Sequence, residues 1–68
     1  MITDYVGQRI KTFRNELGMS QEKLALKAGI DRTYLAGVEG GKRNISLKNL
    51  EKIVRALEVS FEDFFKGI

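Results

Sequence analysis

Glycines cut this chain into short segments, and a capping residue opens each segment. Gly18, Gly29 and the Gly40-Gly41 pair are followed closely by Ser20, Asp31 and Ser46, and Ser60 opens the last stretch. Ser and Asp side chains accept from the unpaired N–H groups at a helix start, and glycine takes the left-handed conformation that ends one. A chain punctuated in this way, with no proline, is expected to be a set of short helices. The apolar spacing agrees. Val6, Ile10, Phe13 and Leu17 form one face of a first helix expected over Asp4–Leu17, with Thr3 as its N-cap. Leu24, Ala25 and Ala28 share a face of a second helix after Ser20, and Leu35 and Val38 share one of a third, from Asp31 to Glu39. Leu47, Leu50, Ile53, Val54 and Leu57 give the fourth a broad stripe, and the fifth holds Phe61, Phe64 and Phe65, with Asp63 in a weak capping box. No segment alternates as a strand does. The fold expected is all-α, five compact helices in a single domain over residues 1–68.

Composition limits the chemistry. Cysteine and histidine are both absent, which removes disulfides, thiolate metal sites and the commonest general base and zinc ligand. The carboxylates are scattered. Gly40-Gly41-Lys42-Arg43 lacks both the spacing of a phosphate-binding loop and a strand before it. An enzyme is therefore not expected, and no cofactor or metal is called for. No apolar run approaches the ~20 residues that cross a bilayer, and the opening MITDYVGQRI has no signal-peptide pattern. No membrane partner is expected, and the location expected is cytoplasmic, on the nucleoid. A chain of 68 residues buries a thin core, and self-association is the remaining route to more. Charge is uneven. Residues 20–48 carry six Lys or Arg against three Asp or Glu, whereas residues 49–68 carry three against four. A basic middle suits a polyanionic partner.

The segment Ser20–Glu39 concentrates these signals. It is a short helix, a turn at Gly29 and a second short helix, with small Ala25 where the two would cross. Ile30 fills the turn from beneath, and Leu35 and Val38 anchor the second helix from behind. Arg32, Thr33, Ala36 and Gly37 then fall on or near its outer face. A helix presented in this way fits the DNA major groove, with its N-terminal residues at the base edges. Spacing alone also allows an αα-hairpin with no nucleic-acid role.

Residues 18–30, Gly-Met-Ser-Gln-Glu-Lys-Leu-Ala-Leu-Lys-Ala-Gly-Ile, resemble the signature of the phage-repressor-like (lambda/Cro-type) helix-turn-helix domains. Asp31-Arg-Thr-Tyr34 followed by Lys42-Arg-Asn-Ile-Ser46 is similar to the controller proteins of restriction–modification systems, which are dimeric transcription regulators. The resemblance implies a double-stranded DNA partner with a palindromic operator, and RNA polymerase as a further partner if the protein activates. Gln21 would contact a phosphate at a helix N-terminus. Arg32 and Thr33 would read bases, the arginine on guanine and the threonine methyl on a thymine methyl. Tyr34 would touch backbone or bases. Gly37 offers no side chain to a base, so discrimination would rest on Arg32 and Thr33. Lys42, Arg43, Asn44, Ser46 and Lys48 would clamp the DNA backbone, whereas Lys23 and Lys27 are read equally well as solvated charges. Arg14 and Glu39 resemble an ion pair tying the first helix to the third.

A homodimer is expected through the fourth and fifth helices, about residues 50–68, with Leu57, Val59, Phe61, Phe64 and Phe65 as the apolar patch. An antitoxin or phage-type repressor is an alternative regulator. A protein-interaction module that has lost DNA binding is a further one, disfavoured by the basic residues at 32, 42 and 43.

Overall fold

The computed structural model describes residues 1–67. Five helices follow one another: α1 (Ile2–Glu16), α2 (Gln21–Ala28), α3 (Arg32–Glu39), α4 (Leu47–Leu57) and α5 (Phe61–Phe64). Four of them begin as the sequence dictates. The side chains of Ser20, Asp31, Ser46 and Ser60 accept from the backbone N–H of Lys23, Tyr34, Asn49 and Asp63 at 3.0–3.1 Å. Each cap contributes about 1 kcal/mol. Between α2 and α3 the chain reverses at Gly29, which is left-handed at φ 73° and ψ 36°. The Ile30 N–H then reaches back to the Ala25 carbonyl at 3.0 Å, closing a Schellman turn.

The first helix differs from expectation. It starts at Ile2 with Met1 as its cap, and Thr3 lies inside it. The Met1 carbonyl accepts from the Tyr5 N–H at 3.2 Å, and the terminal ammonium lies 3.6 Å from the Asp4 carboxylate. The acidic side chain in the first turn also suits the helix dipole. The buried face is Val6, Gly7, Ile10 and Arg14, while Leu17 is the C-cap and is exposed. Gly7 is there because α1 crosses the end of α3 closely. A Cβ at residue 7 would collide with the Val38 carbonyl oxygen and lie 2.8 Å from that of Glu39.

The core runs through all five helices. Ile10, Leu24, Leu35, Ile53, Leu57 and Phe64 are fully buried, each contributing roughly 1.5–3 kcal/mol on burial. Leu47 leaves the stripe of α4 and is 84% exposed. It is the first residue of that helix and overhangs an open apolar groove, lined also by Ile2, Val6, Ile45, Leu50 and Phe65. At the far end α4 stops on Glu58, left-handed at φ 60°. Lys27 of α2 reaches across to the Glu58 carboxylate at 2.8 Å. Among the described residues no helix is long and apolar enough to cross a membrane.

Candidate nucleic-acid interface

The placement of α3 follows from what lies behind it. Leu35 and Val38 are buried against the core, and Ala25 of α2 is buried with them. A carboxylate at the end of α3 joins three helices. Glu39 accepts from Arg14 Nε at 2.8 Å and Nη2 at 3.0 Å, and from the Gln21 side-chain amide at 3.2 Å. Arg14 Nη1 also donates to the Met19 carbonyl at 2.7 Å. The two side chains of the ion pair are only 10% and 3% exposed. A planar guanidinium matched to a carboxylate by two parallel bonds fixes orientation as well as distance.

This framework leaves the first turn of α3 outward. Arg32 and Thr33 are exposed, and among the described residues neither side chain has a hydrogen-bond or ion-pair partner. Tyr34, one residue on, is half-buried. Its hydroxyl donates to the Asn44 carbonyl at 3.4 Å and accepts from the Asn49 side chain at 3.3 Å. The loop 40–46 is therefore pinned to α3. The N–H groups of Lys42 and Arg43 both donate to the Gly37 carbonyl, at 2.9 and 3.2 Å. Arg43 lies over the Tyr34 ring, with its Cζ 5.2 Å from the centroid. A Cβ on residue 37 would come 2.5 Å from Arg43 Cγ. The bare surface of Gly37 is thus occupied by the Arg43 stem.

Lys42, Arg43, Asn44 and Lys48 are all exposed beside this face. Ser46 is exposed as well, with its hydroxyl oxygen engaged as the α4 cap. Gln21 sits at the start of α2 with its side-chain amide held by Glu39. Asn49 joins the group without a sequence signal, since nothing in its spacing announces a bond to Tyr34. Lys23 is exposed on α2. Lys27, which is engaged with Glu58, is accounted for by that ion pair.

The expected dimer patch divides. Leu57 is 1% exposed and Phe64 is fully buried, so both serve the core of the chain itself and offer no outer surface. The reason is packing: Phe64 stacks on Phe13 of α1 with centroids 5.9 Å apart. Val59 and Phe65 are half-buried and Phe61 is 44% exposed.

A family model described as helix-turn-helix matches residues 10–64. The chain belongs to the helix-turn-helix family. Among its relatives this helix-turn-helix protein is 43% identical to the control protein C.MunI of a Mycoplasma species, over 91% of this chain and 85% of that one. It is 47% identical to the control protein C.BamHI of Bacillus amyloliquefaciens, over 84% of this chain and 72% of that one. The crystal structure of the restriction–modification controller protein C.Esp1396I superposes with a TM-score of 0.91 at 46% identity, covering 96% of this chain and 86% of that one. C.Esp1396I has also been solved as a tetramer with its natural 35-base-pair operator, with the same TM-score of 0.91.

Proposed function

We propose that this helix-turn-helix protein is a sequence-specific transcription regulator that binds a palindromic operator as a homodimer, in the manner of a restriction–modification controller. The observation that carries the reading is the pair Arg32 and Thr33, exposed and without a side-chain partner among the described residues, at the start of a helix held from behind by Leu35, Val38 and Glu39. An exposed arginine at that position can bridge O6 and N7 of guanine. Lys42, Arg43, Asn44 and Lys48 hold the DNA backbone, with Gln21 at the N-terminus of α2. Two copies place two such helices about 34 Å apart, one turn of DNA. They meet through the face that carries Phe61, Phe65 and Val59, continuous with the groove beneath Leu47. The protein acts in the cytoplasm, on the nucleoid, and the reading gives it no catalytic role.

The test is selection of bound duplexes from a random library. Arg32→Ala is expected to flatten preference at one base position per half-site by ~1–3 kcal/mol. Arg43→Ala is expected to weaken all duplexes alike and to reduce the salt slope. Unchanged selectivity in Arg32→Ala would overturn the assignment of the reader.

A further inference from the structure

One arginine outside the DNA-facing surface makes an unusual set of contacts. Tyr5, Arg9 and Phe13 stand one turn apart along one face of α1. The Arg9 guanidinium lies 4.8 Å from the Phe13 ring centroid and 6.0 Å from that of Tyr5. Its donors leave the helix. Nε donates to the Phe64 carbonyl at 2.7 Å and Nη2 to the Asp63 carbonyl at 2.8 Å. These are carbonyls at the end of α5, where a cation is favoured, and the Asp63 carbonyl also accepts from the Lys66 N–H at 3.3 Å. Tyr5 continues the same attachment, stacking on Phe65 with centroids 6.3 Å apart and donating its hydroxyl to the Lys66 carbonyl at 3.4 Å.

The helix so held is only four residues long. An isolated helix of that length has no stability of its own. Phe64 anchors it to the core, with Phe65 packed on Phe64 and Tyr5. The two bonds from Arg9 add a direct tie from α1 to the backbone of its last two residues. They set the direction in which Phe61 and Phe65, flanking Phe64, face.

We propose that Arg9 is a positioning residue for self-association: by holding the end of α5 it fixes Phe61 and Phe65 in the orientation a second copy of this chain meets. The inference rests on the dimer reading above, and the experiment separates the two. Sedimentation equilibrium of the whole chain compares the parent with Arg9→Met, Arg9→Lys and Phe61→Asp, and hydrogen exchange follows each variant residue by residue. Arg9→Met keeps an unbranched side chain and removes the guanidinium and its donors. It is expected to raise the dimer dissociation constant about tenfold, or 1.4 kcal/mol. Faster exchange should be confined to residues 61–67. Arg9→Lys, which reaches one carbonyl but not both, should fall between the two, and it carries the comparison if Arg9→Met does not fold. An unchanged dimer constant in Arg9→Met, with Phe61→Asp dissociating the dimer, overturns the role of Arg9 alone. So does faster exchange over the whole chain, the mark of a general loss of stability. A dimer that survives Phe61→Asp overturns the interface reading and the role of Arg9 with it.

Discussion

Replacing Arg14 with leucine strands a carboxylate. Glu39 would keep the Gln21 amide, at 3.2 Å, but lose both guanidinium bonds, and its side chain is 3% exposed. Water cannot substitute for the arginine at that depth. Breaking a buried pair from one side costs ~3–5 kcal/mol. A chain of 68 residues holds roughly 3–10 kcal/mol in total, at ~0.05–0.15 kcal/mol per residue. Arg14→Leu therefore consumes a third of the stability at the least, and at the weak end all of it. Each kcal/mol moves the midpoint of a domain this small by ~4–8 °C, so a fall of roughly 12 °C or more is expected in a circular-dichroism melt. The double variant Arg14→Leu/Glu39→Leu removes the stranded charge and should recover most of the loss. A single variant melting within ~4 °C of the parent would refute the reasoning, because that is how an exposed pair worth ~0–1 kcal/mol behaves.

Other positions give further expectations. Gly7→Ala places a methyl group against the carbonyls of Val38 and Glu39, and a loss of ~1–3 kcal/mol from overpacking should appear in urea unfolding. Gly37→Ala brings its methyl group 2.5 Å from Arg43 Cγ and 3.4 Å from Cβ, the base of that side chain. The gain in helix propensity, up to ~1 kcal/mol, is opposed by this clash, so the melt should fall as Arg43 leaves the Tyr34 ring, and affinity should fall equally for all duplexes. The Glu58 carboxyl is held below its ordinary value, first by the hydrogen bond from Lys27 and then by the Lys27 charge, with desolvation opposing. A depressed carboxyl stabilises the fold above its unfolded pKa, and that contribution is lost as pH falls through the lower folded value. Urea midpoints of the parent and Lys27→Met should accordingly differ at neutral pH and converge in acid, and a difference independent of pH would show that the pair does not act through this charge.

Legibility of the sequence followed the range of the interactions. A cap is a bond from residue i to the N–H three residues on, so Ser20, Asp31, Ser46 and Ser60 announced their helices locally. The reversal at Gly29 was legible for the same reason. The start of α1 was not, because Met1 caps through its backbone alone. Apolar spacing identified the stripe of α4, but it does not tell whether a large residue faces its own core or a neighbour. Phe64 and Leu57, expected on an outer patch, pack inward, while Leu17 and Leu47, expected on inner faces, are exposed. The attachments of Arg9 span 54 and 55 residues, and no local pattern encodes them. The bond from Asn49 to Tyr34 was hidden likewise, its two residues lying on different helices. The Arg14–Glu39 contact was accessible only through family resemblance, since two charges 25 residues apart carry no signal of proximity.

The carboxylate at Glu39 separates two kinds of change. Residues 14 and 39 are tied through it, so an alteration at either one strands the other, and the two are free to change only together. The side chains of residues 32 and 33 are exposed and, among the described residues, make no hydrogen bond or ion pair. On the reading proposed above, such a chain is retargeted to a new operator by substitution at those two positions without being refolded, and a duplicated copy acquires its own target while the scaffold stands still.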